Sequence, residues 1–191
     1  GRVTQIRPGL IVGPRDGTDR FTYWPVRIDQ GGEVLAPGKP SDLTQYIDVR
    51  DLARFMVHCL EQELTDTYNV VRNPMPFGDL LSTCVDTIES DAELTWVPAD
   101  FLAEHDIQAW RDVPAWADSD SALAGSLTWS ADKALSAGLT ISPVEDTIRD
   151  TLAWFRSLPD ERQAELRAGM SRDKEASVLE AWHSSRRPQG S

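Results

Sequence analysis

"RVTQIRPGLIVGPRDGTDRF", residues 2–21, is the stretch from which the fold is read. Val3, Ile6, Leu10, Ile11 and Val12 are apolar, and the run stops at Gly13-Pro14. The pattern is that of a buried parallel-sheet strand, covered on both faces and followed by a loop. A chain that opens inside such a strand, without an initiator Met, reads as one whose other strands lie upstream.

Composition sets the frame. The 191 residues suffice for one good-sized domain, and 40% hydrophobic content with seven Trp predicts a real core. No apolar run approaches the ~20 residues of a membrane span, and the start lacks the plan of a secretory signal. Cys59 and Cys84 fall on apolar helix faces without ligand spacing, so two buried thiols are expected rather than a disulfide or metal site. A cytoplasmic setting fits that usage. The net charge of −12 is uneven: residues 1–60 carry 8 Lys/Arg against 7 Asp/Glu, residues 61–191 carry 11 against 24. Such a surface repels phosphate backbones and argues against nucleic acid as a partner.

Along the chain, helical and extended patterns alternate, the signature of an α/β fold. Residues 14–45 read as a long loop, with "GGEVLAPGKP" as a hairpin or turn pair. Loops of that length are commonly functional. In "QYIDVRDLARFMVHCLEQ", Asp48 is placed as an N-cap with Asp51 at N3, ahead of Leu52, Phe55, Met56, Cys59 and Leu60 at helical spacing. "DTYNVVRN" and "AELTWV" read as strands, and "PFGDLLSTCVDTIES" and "PADFLAEHDI" as helices, the last with Pro98 at N1. Residues 108–129 hold three Trp among small and acidic residues, which suits a pocket wall, a lid or plain packing. "SADKALSAGL" predicts a short helix capped by Ser130 and closed at Gly138. "SPVEDTIRDTLAWFRSLP" predicts the clearest helix, with Ser142 as N-cap, Pro143 at N1 and Glu145 completing a capping box. Two more short helices hinge near Gly169, and "SSRRPQGS" is expected to fray.

Catalytic constellations are hard to find. There is no Gly-x-Ser-x-Gly elbow, no His-Glu-x-x-His, no P-loop and no Gly-x-Gly-x-x-Gly. His58, His105 and His183 are far apart, and capping accounts for Asp48 and Asp51 without any acid/base role. No metal ligands and no catalytic residue are assigned.

Taken in order, "RPGLIVGPRD", "QYIDVRDLA", "TYNVV" and "DKALSAGLTISPVEDTIRDTLAW" resemble the extended short-chain dehydrogenase/reductase superfamily, the NAD-dependent epimerase/dehydratase group. The likeness covers about residues 2–155. It implies the C-terminal part of a Rossmann-type parallel sheet plus a small mixed α/β substrate-binding lobe. It also implies NAD or NADP as cofactor, shared with an N-terminal half that carries the glycine-rich loop and a Tyr-x-x-x-Lys pair. Here Tyr23, Tyr46 and Tyr68 are followed at that spacing by Arg27, Arg50 and Arg72. Arg is a poor substitute for the compact Lys charge that lowers a tyrosine pKa, so this chain alone is expected to lack hydride-transfer activity.

By the same resemblance, Pro8, Gly9, Leu10, Ile11 and Val12 lie along the cofactor edge. The loop residues Arg15, Thr18, Asp19, Arg20, Phe21, Tyr23 and Trp24 line the substrate cleft. Arg20 either binds a carboxylate or phosphate, or pairs with Asp16 or Asp19. The expected organisation is 1–62 for the last Rossmann-associated strand, loop and return helix, 63–158 for the substrate lobe, and 159–191 for a helical tail. The partner is a small molecule with a carbonyl or carbinol group, with neither nucleic acid nor membrane involved, and the intact protein would be a homodimer. A smaller or more apolar substrate is favoured over a sugar nucleotide, because between Asn73 and Asp132 the only cation is Arg111. The alternative is a non-catalytic binding or regulatory protein on the same scaffold, and a third class is a self-standing interaction module.

Overall fold

The opening strand is broken at Gly9 into β1 (Gln5–Pro8) and β2 (Leu10–Val12) in the computed structural model, which describes residues 2–186. After it come α1 (Tyr23–Asp29), β3 (Glu33–Pro37), β4 (Leu43–Thr44), β5 (Tyr46–Asp48) and α2 (Val49–Glu61). Next are β6 (Thr67–Val70), β7 (Met75–Pro76), α3 (Phe77–Ile88), β8 (Glu93–Val97) and α4 (Ala99–Glu104). The chain continues through α5 (Asp132–Ser136), α6 (Val144–Arg156), α7 (Asp160–Gln163) and α8 (Arg172–Ser185). It is an α/β protein.

Among the described residues three of the four strand pairings are parallel. β1 runs beside β6, with Gln5 opposite Thr67, and β2 beside β5, with Leu10 opposite Tyr46. β3 runs beside β8, while β4 and β7 are antiparallel. One strand thus changes partner at Gly9, where a Cβ would lie 2.6 Å from Val71 Cγ1. Only a residue without a side chain lets the Val71 side chain sit so close to this backbone.

Burial corrects the two-face expectation for this strand. Leu10 and Val12 are buried, but Ile11 is 40% exposed, and β1 is mostly exposed. Among the described residues β1 has one strand neighbour, β6. The helix that follows β5 behaves similarly. Leu52, Phe55 and Cys59 of α2 pack into a core with Ile47, Tyr68, Val70, Ala134 and Leu139. Met56, Val57 and Leu60 of the same helix are exposed.

The loop reading of residues 14–45 is overturned twice. Tyr23–Asp29 is a helix with Tyr23 through Ile28 buried. Pro25 is tolerated because first-turn N–H groups have no intrahelical acceptor to lose. "GGEVLAPGKP" is no hairpin: Val34, Leu35 and Ala36 form an interior parallel strand, entered through Gly31 and Gly32 and left through Gly38, all at φ +66°. α1 packs against α3, and α3 against α6, around Trp24, Phe77, Leu80, Leu81 and Ile148.

Caps divide by whether a distant residue competes for the same side chain. Asp48 caps α2, accepting from Arg50 N–H at 2.8 Å. Gly138, at φ +101°, follows α5 as expected. Ser142 does not cap α6. Its N–H and hydroxyl donate to Asp51 at 2.8 and 2.6 Å, and Pro143 takes the N-cap position without a side-chain bond. Pro98 likewise stands at the N-cap of α4, one residue before its expected place. Of the expected frayed end, Ser184 and Ser185 belong to α8, and residues 187–191 lie outside the described residues. Both thiols are free and buried.

Candidate functional site

Asp16 organises the loop at the carboxyl end of β2. Its Oδ1 accepts from the Thr18 N–H at 3.0 Å and the Thr18 hydroxyl at 2.7 Å. Its Oδ2 accepts from the Phe21 N–H at 3.3 Å and the Thr22 hydroxyl at 3.2 Å. While donating to Asp16, the Thr18 hydroxyl accepts from Arg20 Nε at 3.2 Å. The relay holds the Arg20 side chain by one nitrogen and leaves both Nη atoms available. Among the described residues Arg20 forms no ion pair, so it pairs with neither Asp16 nor Asp19.

Two cavities lie beside this loop and share Gly9 and Arg20 in their walls; we take them together as the two lobes of one cleft. One, of about 440 Å³, is lined by Ile11, Val12, Pro14, Arg15, Thr18 and Val49. The other, of about 370 Å³, is lined by Leu10, Gln45, Trp110, Leu123, Leu127 and Trp129. Both volumes fall within the ~300–1,000 Å³ of small-molecule sites. The location, beyond the carboxyl ends of parallel strands, is where α/β sheets bind ligands.

The expected residues divide by where the backbone sends them. Gly9, Leu10, Ile11 and Val12 line the cleft, and Pro8 is exposed just before it. Arg15, at φ +73°, Thr18 and Arg20 also line it. Asp19, Phe21, Tyr23 and Trp24 do not. Asp19 is buried against Arg162, whose Nη2 donates to its two oxygens at 2.7 and 2.6 Å. Phe21 stacks at a tilt on Tyr46 with ring centres 5.0 Å apart. Trp24 meets Phe77 edge-on at 5.1 Å and donates its indole N–H to the Pro114 carbonyl at 2.7 Å. The helix beginning at Tyr23 turns these rings into the core, and ring type alone carries no sign of that. Burial pushes the Tyr23 and Tyr46 hydroxyls far above the ordinary tyrosine range, so neither supplies a phenolate.

Sequence reading missed Gln45, Val49, Val71, Leu123 and Leu127 as lining residues. Gln45 is the instructive one: its Nε2 donates to the Trp129 carbonyl at 2.7 Å and its Oε1 accepts from the Trp129 N–H at 3.0 Å. That pair of bonds pins the 108–129 segment beside the cleft. Of the three Trp there, Trp110 and Trp129 line the cleft, while Trp116 is buried and donates to Asp42 at 2.9 Å. The Trp density was the one visible signal, and it serves both wall and packing.

No protein-family model matches the chain, and no curated protein does. Solved structures do. A UDP-glucose 4-epimerase from Thermus thermophilus, complexed with NAD, is 18% identical at a TM-score of 0.55, over 83% of this chain and 48% of that one. A UDP-glucuronic acid 4-epimerase from Bacillus cereus, in complex with UDP-glucuronic acid and NAD, is 16% identical at 0.54, over 81% and 45%. A GDP-L-fucose synthetase from Naegleria fowleri bound to NADP is 16% identical at 0.56, over 86% and 47%. The chain therefore spans a little under half the length of the structures it matches. In fold the chain is similar to a portion of these epimerase and synthetase structures.

Proposed function

We propose that this chain is the substrate-binding portion of an NAD(P)-dependent oxidoreductase or epimerase acting on a carbonyl or carbinol substrate. The observation that carries this reading is the cleft at Gly9 and Arg20, at the carboxyl end of β2 in an epimerase-like fold. The dinucleotide-binding loop and the Tyr-x-x-x-Lys pair would come from polypeptide upstream of these 191 residues. Such a segment would also cover the exposed Ile11, Met56, Val57 and Leu60.

When bound, the nicotinamide supplies or accepts the hydride. The backbone at Gly9, Ile11 and Val12 would form its edge, since these residues line one lobe and present no titratable group. Arg20, held by Thr18 and Asp16, would orient the substrate in the other lobe. Leu10, Val71, Leu127 and the two Trp would keep water from the reacting carbon.

The test is to extend the reading frame upstream and express the longer polypeptide. It is expected to encode Gly-x-x-Gly-x-x-Gly and Tyr-x-x-x-Lys and to bind NAD(P)H with a change in nicotinamide fluorescence. The 191-residue chain alone is expected to turn over none. Dinucleotide binding with the Tyr-Lys pair lost would turn the reading into a non-catalytic sensor. A longer polypeptide that binds no dinucleotide would sink it.

A further inference from the structure

We propose that the lobe between Trp110 and Trp129 recognises an apolar, ring-bearing molecule that carries a single carboxylate, held by Arg20. This deepens the proposed function and rests on the same cleft, but it concerns ligand binding by this chain's own residues and requires no dinucleotide.

Three features of the cleft carry it. Its charge is the first. The charged residues lining the two lobes are Arg15, Asp16 and Arg20, a net of +1, and both Asp16 oxygens are taken up by the loop's own donors. One negative charge on the ligand balances that site; the two or more of a nucleoside diphosphate do not. The second is the walls. Trp129 is 42% and Leu123 48% exposed, among the few large apolar side chains the described residues leave open to solvent. Exposed apolar surface gathered in a concave site is a mark of ligand binding. The third is polar economy. Gln45 is engaged at both ends by the backbone of Trp129 and Arg72, and the Ser126 hydroxyl donates to the Leu123 carbonyl at 2.6 Å. Among the lining side chains the free donors are then the Arg20 Nη atoms and the indole N–H groups of Trp110 and Trp129; of these Arg20 alone is charged, in the planar fork that fits a carboxylate. Thr18 is the positioning residue, since its hydroxyl sets the guanidinium by accepting from Nε.

The experiment titrates the 191-residue chain with three probes, 2-naphthoate, 2-naphthalenemethanol and UDP, read by quenching of tryptophan fluorescence and by calorimetry. Naphthoate should bind saturably, at least about tenfold more tightly than the alcohol of the same shape, and should weaken as salt rises. Arg20→Gln should abolish the preference for the acid and leave alcohol binding unchanged. Thr18→Val should reduce naphthoate binding several-fold with no effect on the alcohol, a split that general loosening of the loop would not produce. The circular dichroism melt of Arg20→Gln should match the parent, because its side chain is not in the core, while Thr18→Val, which takes one of four donors from buried Asp16, should melt slightly lower with the same cooperativity. Absence of naphthoate binding, equal affinity for acid and alcohol, or tighter binding of UDP would each overturn the assignment. None of these outcomes depends on whether the longer polypeptide binds NAD(P), so this assignment and the proposed function fail separately.

Discussion

The Glu175 carboxylate accepts a 2.6 Å hydrogen bond from Arg27 Nε, and both side chains are 3% exposed. Its second oxygen accepts from the Leu35 backbone N–H at 3.0 Å, so one carboxylate fastens α8 to α1 and to β3. Arg27 also donates to the Gly31 carbonyl at 3.0 Å and shapes the turn that leads into β3. Glu175 has a second, half-exposed partner in Arg172 at 3.0 Å, whereas removing Glu175 leaves the Arg27 guanidinium buried without a carboxylate. Glu175→Ala should therefore cost about 3–5 kcal/mol in urea unfolding. Arg27→Met with Glu175→Leu should recover much of the loss, since an apolar pair of similar volume replaces a buried ion pair at little cost. A Glu175→Ala protein that unfolds with the parent would show that α8 is not held this way.

Asp48 predicts acid sensitivity. Burial works to raise its pKa, but hydrogen bonds from the Arg50 side chain and backbone and from Thr147, at 2.8 Å, outweigh it and hold the carboxyl below its ordinary 3.8. The unfolded chain then binds this proton more readily than the folded one. The stabilisation is present above about pH 4, and it is lost as pH falls through the lower folded value. Asp48→Asn keeps a capping oxygen but loses the charge. It should cost about 1.5–3 kcal/mol at about pH 7 and flatten the acid limb of urea midpoints measured from there down to about pH 2.5. An acid limb of unchanged slope would place the sensitivity elsewhere.

Gly9→Ala should destabilise by about 1–3 kcal/mol, because the new methyl meets Val71 Cγ1 at 2.6 Å. Val71→Ala introduced beside it should relieve the clash, so the double-mutant cycle should return a favourable coupling. Additive losses would mean that the glycine serves something other than this close approach.

Cys59 and Cys84 are 3% and 0% exposed, and burial pushes both thiols above their ordinary pKa. Neither should react with Ellman's reagent in native buffer faster than the protein opens, and both should react at once in denaturing urea. Prompt labelling of either thiol in the folded protein would contradict the packing of α2 or α3.

How much of this was legible depends on the range of the forces involved. The stripe of Leu52, Phe55 and Cys59, the cap at Asp48, the turn at Gly138 and the strands Thr67–Val70 and Glu93–Val97 follow from patterns spanning a few residues. The chain carries them without reference to anything distant. Ser142 shows where such patterns fail: as a local signal it is a good N-cap, yet Asp51, 91 positions away, takes both of its donors.

By itself, then, the sequence determined the periodic helices and the α/β alternation; Gly9, Thr18 and Arg20 are nominated only through a family resemblance, and they line the cleft. The tertiary structure alone decided that Asp19, Phe21, Tyr23 and Trp24 turn inward, and that Gln45 draws Trp129 to the cleft beside Arg20. The physical reason is that periodicity and capping are satisfied by neighbours in the chain, whereas burial and the direction of a side chain are set by residues brought together only when the whole chain packs.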